Sequence, residues 1–406
     1  MKKKINRRKF ITLAAGAGAA LMSPRGFGNQ ILADDVVPDR GVSGVVPRRV
    51  FGKTGVTISQ LCLGGSSVAG ADSPAVLDEA LKQGVDCWEI VSFTGKAYGE
   101  YFKKNPDVRA RVFLTAKVYS TNPTVMQEQL DKVLNDNETS TIDFLAVHVL
   151  DNVEALNDDV RKWAEKVKKE KKIRFFGFCT HKNMDECLRR GADLDWIDGI
   201  QTFYNYRMQS IGNMEEALQK CHEKGIGIFT VKSMGLCSQK KTELQKLPLN
   251  EEKLNSLLAG HNISFEQAKL KAIWQNPHIT SICSLMPGTA ILLSNIAAAK
   301  DERPLSTEVR KLLADYADGT GRYFCRRCGA CDTANADKIP IFDIMEALMY
   351  SRGYGMTALA MKVFARIPPE IRSKIPDSDY STAERLCPQQ VPIGQFMKEA
   401  YRELSG

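Results

Sequence analysis

No apolar run in this 406-residue sequence is long enough to cross a bilayer, which takes about 20 consecutive residues. The stretch at 11–22 of "MKKKINRRKFITLAAGAGAALM" is the nearest approach, and it is too short. Acidic residues are absent from 1–33, which hold seven of the 56 Lys and Arg. The rest of the chain therefore sets 49 basic against 48 acidic residues. That balance gives no electrostatic reason to expect nucleic acid or an anionic surface as partner. Tandem repeats are also missing, and so is a Gly-rich phosphate turn after the first strand-like run, where "LGGSSVAG" (63–70) is only a loose echo. The eleven cysteines are an odd number, and seven of them (62, 87, 179, 187, 221, 237, 283) are scattered, several in apolar runs. Such cysteines read as small buried hydrophobes rather than a disulfide framework.

The N-terminus has a basic stretch, the pair Arg7 and Arg8 followed by Lys9 and Phe10, and then the mild apolar run. That order predicts a removable twin-arginine export signal over 1–33, cleaved after Ala33, with 34–47 as a linker and a periplasmic destination. The other reading is a basic, Ala/Gly-rich tail. No membrane span is expected once the signal is removed.

From residue 48 the pattern alternates. "RRVFGKTGVTIS" (48–59) predicts a hairpin turning at 53–55. Eight short apolar runs follow: 60–65, 87–91, 112–118, 143–149, 175–179, 199–205, 226–231 and 280–286. Amphipathic stretches such as 123–136 and 159–172 lie between them. Eight buried strands alternating with helices over about 250 residues predict an α/β fold, a (β/α)8 TIM barrel over 48–305. The charged stretch 238–262 reads as an extended loop after the seventh strand. After residue 305 the alternation stops, and 306–406 reads as a small, mainly helical domain.

Six stretches in order, "RVFGKTGVTISQLCLGG", "YFKKNPDVRARVFLTAKV", "IDFLAVHV", "IRFFGFCTH", "IQTFYNYR" and "TSICSLMPGTAILLSNI", resemble the aldo/keto reductase family, in its branch with a C-terminal iron–sulfur segment. The resemblance covers about 48–406. It implies hydride transfer between NAD(P) and a carbonyl or alcohol, using a Tyr acid, a Lys that lowers its pKa, an Asp partner and an orienting His. The physical logic is that a phenol near pKa 10 serves as a neutral-pH acid only beside a cation. Lys117 matches the lysine and His148 the histidine, while Glu89 stands at the Asp position. The expected Tyr falls on Phe93 or Thr94, and Tyr98 is the nearest phenol. On the cofactor side the resemblance points to Thr180, His181, Gln201 and Asn295. The stretch "PGTAILLSN" lacks a basic residue for a 2′-phosphate, so NADPH is not favoured over NADH.

The tail carries the remaining cysteines. "YFCRRCGACDT" places Cys325, Cys328 and Cys331 two residues apart, and Cys387 precedes a proline. Three evenly spaced thiolates and a Cys-Pro are the parts of a bacterial ferredoxin run, here with the fourth ligand displaced by inserted helical segments. One 4Fe–4S cluster on these four cysteines is the favoured reading, with Arg326 and Arg327 placed to offset its charge. A four-cysteine zinc site is the alternative. The sequence thus reads as an exported aldo/keto-reductase-like oxidoreductase acting on a small-molecule substrate. The alternative is a non-catalytic electron-transfer or binding subunit on a degenerate barrel, and either reading admits a periplasmic electron-transfer partner.

Overall fold

The computed structural model describes residues 44–405 except 69–72, 92, 93, 95, 149, 210 and 336. The proposed export signal and Phe93 lie outside the described residues. The described chain divides into two compact units, one of 44–234 with 266–305 and the other of 235–265 with 306–405.

The first unit is the barrel. Its hairpin pairs β1 (Arg48–Val50) antiparallel with β2 (Thr57–Ser59), and the turn is closed by Gly55 at φ 73°. The eight barrel strands are β3 (Leu61–Leu63), β4 (Cys87–Glu89), β5 (Phe113–Val118), β6 (Ile142–Val147), β7 (Ile173–Thr180), β8 (Gly199–Phe203), β9 (Gly227–Val231) and β10 (Ser281–Ser284). They close in that order, β10 pairing with β3, and every barrel pair is parallel. These runs are continuously apolar because they are covered on both faces, by helices outside and side chains within. The seven scattered cysteines are all buried.

Helices begin where the sequence supplies caps. The Asn122 side chain accepts from the backbone N–H groups of Thr124 and Val125 at the start of Pro123–Asp136. The Asn157 side chain accepts from Val160 N–H at the start of Asp158–Lys169. Each cap satisfies amide donors that a helix leaves without intrahelical partners.

The hairpin closes the barrel floor with one residue. Phe51, fully buried, lies 5.2–5.8 Å from the rings of Phe113, Phe144, Phe175 and Phe229, contributed by β5, β6, β7 and β9. Gly199 and Gly227 make room for it, since a Cβ at either position would overlap the Phe51 ring.

The second unit corrects the reading of 238–262 as a loop. That segment forms two helices, Lys241–Leu244 and Glu251–Ala259, and groups with the C-terminal residues. Helices Thr307–Gly319, Ile341–Leu348, Thr357–Phe364 and Ile393–Leu404 follow, and the core includes Ile341, Leu348, Phe364 and Phe396. The Arg352 side chain, 4 % exposed, donates to Glu399 (2.7 Å), Glu403 (2.8 Å) and the Ser238 carbonyl (2.9 Å), tying the helical excursion to the last helix. Among the described residues no helix is long and apolar enough to cross a membrane.

Candidate active site and cysteine cluster

Alternation along the strands sorts side chains between barrel interior and helix layer. Phe113, Thr115 and Lys117 share a face of β5, and Cys87 and Glu89 share a face of β4. Phe113 and Cys87 lie in the interior core, so Lys117 and Glu89 point inward at the carboxyl-terminal ends of their strands. This is the end where (β/α)8 enzymes place their chemistry.

Lys117 Nζ meets Glu89 Oε1 at 2.7 Å, with both side chains less than a tenth exposed. Gln201 on β8 donates from Nε2 to the same oxygen at 2.8 Å, and the Gly65 N–H donates to Oε2 at 3.3 Å. Burial alone would raise the Glu89 carboxyl, but the Lys117 ammonium and these hydrogen bonds hold it down at about 2. Burial likewise opposes the charge on Lys117, and the Glu89 carboxylate outweighs it, raising the ammonium above its ordinary value. The pair is therefore ionised throughout the neutral range.

His148 follows β6 directly. Burial and the Lys117 charge keep its pKa well below the usual imidazole value, so the ring is neutral at pH 7. Among the described residues its Nδ1 is buried without a partner, as is Gln201 Oε1. Two aromatic neighbours meet the His148 ring edge to face: Tyr119 at 4.9 Å and His181 at 5.6 Å. His181 Nε2 also lies 3.5 Å from Cys179 Sγ.

The structure therefore brings together Glu89, Lys117, His148, His181 and Gln201. It places the other candidates elsewhere. Tyr98 does lie on the helix after β4, Ala97–Lys104, fully buried and stacked on outward-facing Trp88 at 5.4 Å, and its hydroxyl has no partner among the described residues. Thr94, the other candidate for the missing phenol, is buried; its hydroxyl donates to the Gly65 carbonyl and accepts from Val91 N–H. Thr180 faces the helix layer and donates to the Lys182 carbonyl at 2.9 Å. Asn295 is buried and donates to Ser284 Oγ at 3.1 Å. Tyr119 is the mouth residue that the sequence reading passed over. The available signal was its position in "AKVY", two residues beyond Lys117 and so on the same face.

The profile of the aldo/keto reductase family matches residues 61–313, more than half of the chain. The chain belongs to the aldo/keto reductase family. Among solved structures, an aldo-keto reductase from Bacillus halodurans in its holo form superposes with a TM-score of 0.53 at 17% identity, covering 67% of this chain and 96% of that one. At that identity the likeness speaks for the barrel fold alone. No curated protein sequence matches the chain. Family membership makes this an aldo/keto-reductase-like oxidoreductase.

In the C-terminal unit of this aldo/keto reductase, Cys325, Cys331 and Cys387 pack against the helical core. Cys325 lies within electrostatic reach of Cys328 and Cys387, and Cys331 within reach of all three other cysteines. The 325–331 loop curls through two left-handed residues, Arg327 at φ 64° and Gly329 at φ 75°. Through this curl the Arg327 backbone N–H is directed at the Cys325 sulfur. The Arg327 guanidinium is buried and pairs with Glu346 at 2.8 Å. Among the described residues no group of three or more His, Cys, Asp or Glu is drawn together as ligands of a single metal ion. An iron–sulfur cube makes a different demand, because each thiolate binds its own iron and the four sulfurs stand apart around it.

Proposed function

We propose that this chain is a periplasmic oxidoreductase, exported by the twin-arginine route, that interconverts a small carbonyl compound and its alcohol with NAD(P) and carries one 4Fe–4S cluster. The observation that carries the redox reading is the ionised Lys117–Glu89 pair, braced by Gln201 and lying close to a neutral His148. A buried pair of this kind is costly to desolvate, and its place at the strand ends is where the fold keeps its catalytic groups. The unpartnered Nδ1 of His148 and Oε1 of Gln201 are polar atoms suited to a bound ligand.

A bound nicotinamide would supply or accept the hydride, and His181 and Gln201 are the proposed cofactor-side residues that face the mouth. Neutral His148 orients the substrate oxygen by a hydrogen bond. Lys117, kept charged by Glu89, supplies the positive field that stabilises a developing oxyanion or phenolate. In the tail, Cys325, Cys328, Cys331 and Cys387 would hold the cluster. The convergence of the four thiols and an N–H directed at one sulfur support that reading. A hydride carries two electrons and the cluster passes one at a time, so the cluster reads as structural or as a port to a periplasmic partner.

A second reading, a non-catalytic electron-transfer or binding subunit, is favoured by the missing acid: Tyr98 is stacked away on Trp88 and Thr94 commits its hydroxyl to backbone. Titrating the purified mature protein with NADH and NADPH separates the two. Binding of either supports the oxidoreductase, and failure of both beside an intact cluster sinks it. Iron and acid-labile sulfide at about four each per chain are expected of anaerobically purified protein. Zinc without sulfide would remove the cluster, and recovery of the processed chain outside the periplasm would remove the export reading.

A further inference from the structure

We propose that Tyr119 is the proton donor of the barrel site, in place of the phenol missing after β4. The inference rests on the hydride-transfer reading above and adds the residue that handles the proton. Tyr119 lies one residue past the end of β5, and strand parity puts it on the same inward face as Thr115 and Lys117. Its ring meets His148 edge to face at 4.9 Å. Unlike Lys117 and Glu89, it is partly exposed. The Lys117 ammonium also feels the charge that Tyr119 would carry as a phenolate, which places the two within electrostatic reach.

Three of the other mouth groups are poor proton sources. Glu89 from β4 is ionised, with a pKa of about 2. Lys117 from β5 is locked in the ion pair. His148 after β6 is neutral. From β7, His181 contacts Cys179, and after β9 Lys232 adds a further positive charge that His148 feels. A phenol beside an ammonium gives up its proton more readily than one elsewhere. In the reductive direction the carbonyl carbon gains a hydride, two electrons and a proton, from the reduced nicotinamide, which is oxidised. The carbonyl oxygen takes its proton from Tyr119 Oη, and the phenolate recovers one from water. The oxidative direction runs the same transfers backwards.

The test uses the purified holoprotein with 4-nitrobenzaldehyde and whichever of NADH or NADPH binds. Tyr119→Phe is expected to lower kcat at least about 100-fold while the nicotinamide Kd stays within about twofold. An ultraviolet titration adds a readout independent of turnover. One of the eleven tyrosines should ionise ahead of the rest, that step should vanish in Tyr119→Phe, and it should move to higher pH in Lys117→Met. Turnover kept within about threefold in Tyr119→Phe, or an early tyrosinate step that survives the substitution, overturns the assignment. So does a loss of turnover that appears in Tyr98→Phe instead. If neither nicotinamide binds the unaltered protein, the hydride-transfer reading falls and takes the proposal with it. If one binds and only the Tyr119 criteria fail, the oxidoreductase reading stands without this residue.

Discussion

Replacing Lys117 with Met tests the buried pair most directly. The substitution keeps roughly the same volume but leaves Glu89, 5 % exposed, to the Gln201 amide, the Gly65 N–H and the Cys283 thiol. Breaking a buried ion pair by removing one partner costs about 3–5 kcal/mol, because the remaining charge stays desolvated. The cost depends on pH in a direction the structure fixes. In the unaltered protein Glu89 sits at about 2, below its ordinary 4.5. Its stabilisation is therefore complete above 4.5 and is lost only as pH falls toward 2. Without Lys117, burial becomes the dominant influence and raises the carboxyl above its ordinary value. The folded variant then prefers a proton, and its deficit is largest at pH 7–8 and shrinks on acidification. The relief is about 1.4 kcal/mol for each pH unit between the raised value and pH 5. Tryptophan fluorescence during urea unfolding is the suitable assay. All four tryptophans, at 88, 163, 196 and 274, lie in the barrel unit, so the signal excludes the C-terminal unit. A deficit under about 1 kcal/mol at pH 7, or one equal at pH 7 and pH 5, would refute the picture of a desolvated pair.

Phe51→Ala empties the floor of the barrel and should cost about 3–5 kcal/mol by the same fluorescence assay; a loss under 1 kcal/mol would mean the hairpin is not the floor. Arg352→Met strips a buried cation from Glu399 and Glu403 and should destabilise the C-terminal unit by about 3 kcal/mol, read by limited proteolysis of the 235–265 segment. Unchanged protease resistance would count against that network. Cys387→Ser should lower iron content and bleach the visible absorbance expected of a cluster, whereas a tail that binds through Cys325, Cys328 and Cys331 alone would keep both.

The barrel was legible in the sequence because it is written in a local code. Eight apolar runs, each covered on both faces, leave no polar face to confuse the period, and all eight became strands. The amphipathic stretches 123–136 and 159–172 became the helices Pro123–Asp136 and Asp158–Lys169 for the same local reason. The stretch 238–262 was read as a loop because of its many charges. Its helices instead bury Leu254 and Leu258, and that packing depends on residues beyond 306, which no local window contains. The site was half legible. Lys117, His148 and Glu89 were named through the family resemblance of their strand-end motifs, and the structure brings them together; Thr180 and Asn295 hydrogen-bond to Lys182 and Ser284. Tyr119 was overlooked because attention went to phenols near the expected gap in sequence, whereas strand parity supplied one from the neighbouring strand.

The floor of the barrel also has a consequence for synthesis. Phe51 is made before any of the rings that receive it, and the last of those, Phe229, follows nearly 180 residues later. Closure of β10 onto β3 comes later still, at Ser281–Ser284. A growing chain therefore leaves the ribosome with an aromatic hairpin that has no seat, just downstream of the basic N-terminal stretch, until most of the barrel has been translated. Contacts this distant cannot form until their partners are translated, and they then form slowly compared with local ones. The nascent hairpin is accordingly a surface on which a chaperone would act, and Phe51→Ala should weaken capture of stalled chains shorter than residue 229.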